Sequence, residues 1–221
     1  MQLYGHALSP FHMRVELLLA LKDRSDAVAR PELPGPPGSD AYKAINPIGK
    51  IPCLVVDGAI LPESRAILTY LERLWPQPAL VPAEAKAAAD VELVCQLVDA
   101  YITPALDRLF DLSGQGVREG EAAEAACARL ATALDHFEHF IAPGQHLVGD
   151  AWSLADCVAA PSFFFVRTMA RRFKFDPFQD RPKTMAWQSL HLATEIGAKG
   201  EAMQQGAFDA YRAAKKRESV A

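Results

Sequence analysis

Cysteine is scarce in this 221-residue chain: Cys53, Cys95, Cys127 and Cys157 lie far apart and form neither a CxxC pair nor a metal-ligand pattern. That disfavours a disulfide-stapled scaffold or a metal module, and buried thiols in a reducing compartment are expected. A basic excess is also missing. With 23 basic against 27 acidic side chains and a net charge of -4, the chain lacks the concentrated positive surface of a nucleic-acid protein. The longest apolar run, about Cys157 to Val166, falls short of the roughly 18 residues of a membrane span. Arg14, Glu16 and Lys22 interrupt the early apolar stretch where a signal peptide would carry no charge. A soluble cytoplasmic protein is expected, with neither a membrane nor a nucleic acid as partner.

The length allows one large domain or two modest ones, and the pattern favours two. Gln2 to Gly5 reads as a short strand, and Pro10 to Lys22 spaces Phe11, Val15, Leu18, Leu19 and Leu21 close to a helical period. Ala27 to Arg30 is a second strand candidate. The proline and glycine of Pro31 to Gly38 then exclude regular structure. Ile51–Val56 and Ala59–Leu61 flank Asp57-Gly58, a dipeptide suited to a tight hairpin turn. Ser64 to Trp75 places Ile67, Leu68, Leu71 and Leu74 on one stripe before Pro76 and Pro78 end it. The expected order is βαβ, loop, ββα over residues 1–76, then a proline-rich linker over 77–85. An all-helical domain over 86–221 follows, with long helices over 85–112, 119–142 and 153–171, two or three shorter ones over 182–216, and fraying from Lys215.

Three short segments concentrate polar groups at helix starts or turns. Ser9 precedes Pro10 and is expected to cap the first helix; a hydroxyl there can also donate to an anion held at the same helix end. Pro52, at the beginning of a strand, needs a turn or an edge. Glu63-Ser64 opens a helix, so Ser64 is a cap candidate, and the exposed amides beside it make an anion site. In the helical half, Ser153 and Asp156 have the spacing of a capping box, a structural role. His136 and His139 share a helix without a convincing third ligand, so no metal is expected.

The stretches Leu8-Ser9-Pro10-Phe11-His12-Met13-Arg14-Val15, Asn46 to Pro52 with Leu54, and Glu63 to Ile67 leading to Tyr70-Leu71, in this order and at these spacings, resemble the serine-type glutathione S-transferases. Gly149 to Asp156 resembles a further family segment. The resemblance spans nearly the whole chain and implies a thioredoxin-like α/β first domain and an all-α second domain. It further implies glutathione as co-substrate, no metal, a small electrophilic second substrate and a homodimer built on the helix from Glu63 to Tyr70 and the first helix of the second domain. Ser9 would stabilise the glutathione thiolate, with Tyr4 as the competing candidate. Ile51, preceding a cis Pro52, would pair with the cysteinyl part through its amide and carbonyl. Ser64 would hold the γ-glutamyl carboxylate, Glu63 its ammonium, and Lys50 the glycyl carboxylate, although Pro36 to Ser39 lacks a basic residue that many relatives carry there. Phe11, Tyr101, Phe110 and Phe163 are the candidates for binding an apolar substrate.

The chemistry is sufficient in principle. A thiol of pKa about 8.5 lowered by two units needs about 2.7 kcal/mol of preferential anion stabilisation. One hydrogen bond to a charged acceptor contributes roughly 1.5–3 kcal/mol and a helix dipole about 0.3–1. The activity that the resemblance implies is conjugation of glutathione to electrophilic, mostly apolar molecules. Two alternatives stand beside it: a non-catalytic transferase-like binding module, and a glutathione-dependent isomerase or dehalogenase. The S-S-C-S opening of maleylacetoacetate isomerases is absent, and a thiol oxidoreductase is disfavoured because serine stands where its reactive cysteine would be.

Overall fold

The computed structural model describes residues 1–218. The chain divides into two compact units, residues 1–79 with 195–218, and residues 80–194. The first is the thioredoxin-like α/β unit, and the second is all helical.

In the first unit β1 (Gln2–Tyr4), β2 (Cys53–Val56) and β3 (Ala59–Pro62) form an antiparallel sheet in that spatial order. The hairpin between β2 and β3 turns on Asp57 at φ 49° and Gly58 at φ 85°, the two left-handed positions that this dipeptide tolerates. α1 (Pro10–Leu21) packs on α3 (Ser64–Leu74), and Leu3, Leu18, Leu54, Ile67 and Leu71 are fully buried. The strand expected over Ala27 to Arg30 is reduced to one parallel bridge between Gln2 and Ala29, preceded by a 3-10 turn at Ser25–Ala27. Arg30 folds its guanidinium back onto the carbonyls of Ser25 and Val28, which holds the segment curled. After the proline-rich loop, Ser39 caps a short α2 (Asp40–Lys43) that sequence patterning missed.

The long helix expected over 85–112 is interrupted. α4 (Ala85–Leu97) passes through a π turn at Val98–Ile102 into α5 (Thr103–Gly114). Pro104 supplies the reason, since it has no N–H and its ring crowds the carbonyl one turn back; Thr103 bonds instead to Val98, five residues earlier. α6 (Glu121–Phe140), α7 (Leu154–Phe173) and α8 (Pro182–Ala193) complete the unit. Asp156 accepts from the Ser153 amide at 3.0 Å and hydroxyl at 2.9 Å, from Leu147 N at 3.1 Å and from Trp187 Nε1 at 3.0 Å, fixing the start of α7 and joining it to α8. Two helices, α8 and a final one, fill the region where two or three shorter ones were expected, but the second is not short. α9 (Glu195–Glu218) is one 24-residue helix packed on α1, and it continues through Lys215; residues 219–221 of the expected frayed tail lie outside the described residues.

Candidate active site

Strand register brings the predicted site together. Tyr4, the last residue of β1, lies opposite Cys53, the first of β2, and Cys53 lies opposite Pro62, the last of β3. Because both pairings are antiparallel, the segments leading to Ser9, out of Lys50-Ile51-Pro52 and into Glu63-Ser64 all emerge at one end of the sheet. Residues more than fifty positions apart thus share one rim.

Ser9 sits at the N-cap of α1 in extended backbone geometry. Its Oγ accepts from His12 N at 3.3 Å, and its amide donates to His6 O at 3.0 Å, which closes the turn before the helix. The capping contact uses a lone pair and leaves the hydroxyl proton available to an external acceptor. Tyr4, by contrast, donates its hydroxyl to Gln2 at 3.2 Å.

The Ile51–Pro52 bond is cis. The carbonyl just before it, on Lys50, accepts from Asn46 Nδ2 at 2.7 Å and from the Tyr42 hydroxyl at 3.1 Å. Asn46 Oδ1 in turn accepts from Ile48 N at 3.1 Å. Both side chains are buried, and burial pushes the Tyr42 hydroxyl up to about 12, so it stays a donor. Gly49 sits at φ +76°, where a Cβ would lie 3.3 Å from Gly38 Cα and 3.4 Å from the Lys43 side chain. The Lys43 stem therefore runs beside the segment that carries Lys50, whose own side chain is exposed. Burial also pushes the Cys53 thiol up, keeping it protonated.

At the third segment the N-cap of α3 is Glu63, not Ser64. Glu63 holds φ 68° and ψ 116°, makes no side-chain cap, and is exposed. Ser64 is the first helical residue and only 5 % exposed. Its Oγ accepts from Arg14 Nη1 at a long 3.5 Å. Arg14, 1 % exposed, lies with its guanidinium carbon 4.6 Å from the centre of the Phe11 ring and links α1 to the beginning of α3. The first amides of α3 are left without a side-chain cap, and an anion is the natural group to satisfy them.

Arg14, Tyr42 and Asn46 are supporting residues whose roles the motif reading did not assign. A charged residue inside the apolar run of α1 is the local signal that could have found Arg14; nothing local marks Tyr42. Of the aromatic candidates, Phe163 is corrected. It is fully buried, 5.0 Å from the Phe137 ring and 5.1 Å from Trp187, and belongs to the core of its unit. Phe110 is half-buried against Phe165, Tyr101 on the π turn is 50 % exposed beside His136, and Phe11 is half-buried under Arg14.

The chain matches the glutathione S-transferase N-terminal domain over residues 3–99 and the glutathione S-transferase C-terminal domain over residues 120–187. It is similar to maleylacetoacetate isomerase of Rattus norvegicus, 32% identical over 179 residues that cover 79% of this chain and 80% of the relative. Glutathione S-transferase 3 of Zea mays is 31% identical over 195 residues, covering 85% and 86%. Among solved structures, a holo maleyl pyruvate isomerase described as a bacterial glutathione-S-transferase in Zeta class superposes with a TM-score of 0.73. It is 28% identical and covers 92% of this chain and 98% of that one. The expectation of a conjugating transferase is overturned by the similarity to isomerases. The missing S-S-C-S opening weighed too heavily against them, since a few residues of one loop say less than a match over most of the chain.

Proposed function

The chain belongs to the glutathione S-transferase family, in its zeta-class branch of maleylacetoacetate and maleylpyruvate isomerases, and from that premise we propose that it is a glutathione-dependent isomerase of a maleyl-type cis double bond conjugated to carbonyl groups. Bound glutathione would supply a sulfur nucleophile that adds reversibly to the double bond, permits rotation about it and leaves unchanged. The residues of the first unit fit that ligand. Ser9 donates its free hydroxyl proton to the sulfur and holds it as thiolate, a nucleophile at neutral pH. The uncapped amides of α3 and the Ser64 hydroxyl receive the γ-glutamyl carboxylate, and Glu63 pairs with the neighbouring ammonium. Ile51, held in place through Lys50 by Asn46 and Tyr42, offers its amide and carbonyl to the cysteinyl part, with Pro52 fixing the bend. Lys50, with Lys43 beside Gly49, takes the glycyl carboxylate, and Phe11 flanks the reacting carbons.

The observation that carries the reading is the Ser9 hydroxyl, placed at a helix N-terminus with its proton unspent. A homodimer in a reducing, cytoplasmic setting is part of the same proposal. The test is isomerisation of maleylpyruvate with substoichiometric glutathione, followed by NMR of the double-bond protons and mass spectrometry of the glutathione. Trans product with glutathione recovered unmodified is expected. Ser9→Ala should lower kcat by about 10- to 100-fold, the value of one hydrogen bond to a charged acceptor, while glutathione affinity changes little. Stoichiometric loss of glutathione into an adduct would sink the isomerase reading; unchanged turnover in the variant would remove Ser9 from the mechanism.

A further inference from the structure

α1 carries two charged side chains, Arg14 and Glu16, which at two positions apart do not face each other. Glu16 is matched at once. Arg30 grips it with two hydrogen bonds, of 3.0 and 2.7 Å, and His12 Nε2 lies 3.1 Å from the same carboxylate. Burial pushes the Glu16 carboxyl up, but its bonds from His12 and Arg30 outweigh that and hold it at about 2. Arg14 lies towards α3 instead, against which α1 packs, and is only 1 % exposed. Filling that space needs no charge: a methionine of similar length would spare the cost of desolvating a guanidinium.

The charge meets the polar start of α3. Arg14 Nη1 donates to Ser64 Oγ at 3.5 Å, the outer limit of a hydrogen bond, so the link is chiefly the attraction of a fixed positive charge for the oxygen end of the hydroxyl dipole. That attraction turns the hydroxyl proton away from Arg14 and offers it to an acceptor. Arginine does not lose its charge in a protein, so the donor is held ready at every working pH. The guanidinium carbon also lies 4.6 Å from the centre of the Phe11 ring, a cation–π contact between residues three apart on one helix face that keeps the group in place.

Ser64 is the first helical residue of α3, next to amides that the N-cap Glu63 leaves without a side-chain bond. On the premise that the first unit holds glutathione, we propose that Arg14 is a positioning residue for the γ-glutamyl carboxylate. Acting through Ser64, it orients the hydroxyl as a donor to that carboxylate and sets a permanent positive charge behind it. α1 then serves both ends of the ligand, with Ser9 at the sulfur and Arg14 behind the carboxylate.

The test is calorimetric titration of the full chain with glutathione and with its γ-glutamyl α-carboxamide, a neutral isostere that lacks only the charge in question. Arg14→Met should weaken glutathione binding by about tenfold and leave the carboxamide within about twofold of its wild-type affinity. Arg14→Lys keeps the charge and loses the planar donor fork, so it should weaken glutathione by about threefold, with the carboxamide again unaffected. In a Ser64→Ala background Arg14→Met should cost less than about threefold, because its effect passes through that hydroxyl. An arginine that only held α1 against α3 would weaken both ligands alike. Equal losses for the two ligands, losses that add fully to that of Ser64→Ala, or wild-type glutathione affinity in both variants would overturn the role of Arg14. If the methionine variant does not fold, the lysine variant alone decides. Wild-type protein that binds no glutathione would overturn the glutathione reading itself, and the role of Arg14 with it.

Discussion

The starts of α3 and α7 carry the same kinds of residue and use them in opposite ways. At α7, Asp156 turns back over Ser153 and receives four hydrogen bonds; it is fully buried, and every donor around it is consumed within the protein. At α3, Glu63 is exposed, holds a positive φ and offers no side-chain cap to the first amides of the helix. A helix start that satisfies itself is architecture. One that spends conformational energy to leave its donors open is set up for something that arrives from solution.

The sharpest way to break the comparison is to open the closed end. Asp156→Ala strands the donors of Leu147, Ser153 and Trp187 in the interior, and a loss of about 3–5 kcal/mol in unfolding free energy is expected from urea titration. A milder loss here would mean that the closed start is not needed for stability. The acid response of the two units differs as well. In the helical unit, burial first, then Arg167 and His146, hold His191 at about 4 against an ordinary 6.5, so the fold favours its neutral form. Its contribution is complete above pH 6.5 and is lost as pH falls towards 4, of order 3 kcal/mol at full extent. Glu16 of the first unit, held at about 2 against 4.5, contributes fully above pH 4.5 and loses that only as pH falls through 2. Asp156, pushed up by burial, works with the opposite sign, so the measurement compares wild type with His191→Leu. Between pH 6.5 and 4.5 the urea midpoint should fall less steeply in the variant; parallel slopes would remove His191 as the cause.

The smallest effects belong to the open end. Ser64→Ala should weaken glutathione binding by about 1–2 kcal/mol in calorimetry, the value of a hydrogen bond to a charged group, with less change in stability. Glu63→Gly relieves the positive φ and should stabilise the fold by about 1 kcal/mol while weakening glutathione binding. A Glu63→Gly protein that is less stable, or that binds as well as before, would remove the distinction between the two helix starts.

Much of this was legible along the chain. Asp57-Gly58 announced its hairpin and Ser9-Pro10 its helix start, because each is settled by the φ preferences and hydrogen bonds of adjacent residues. The capping pair Ser153 and Asp156 was visible for the same reason. The π turn was not, although Pro104 was in plain view, because a helix can answer a proline by kinking, stopping or widening. The length of α9 was hidden by Gly197, Gly200 and Gly206, which lower helix propensity; at Gly200 the absence of a side chain admits Leu17 of α1.

The sequence by itself determined the hairpin turn at Asp57-Gly58, the starts of α1 and α7, and which three segments carry the polar groups of the site, since those follow from interactions spanning a few residues. Only the tertiary structure decided that the three segments meet, through the register of Tyr4, Cys53 and Pro62. It also decided that Arg14 is buried against Ser64, that Phe163 is core, and that Glu63 rather than Ser64 is the N-cap of α3. Those outcomes depend on burial and pairing between distant residues, for which neighbouring residues carry no signal.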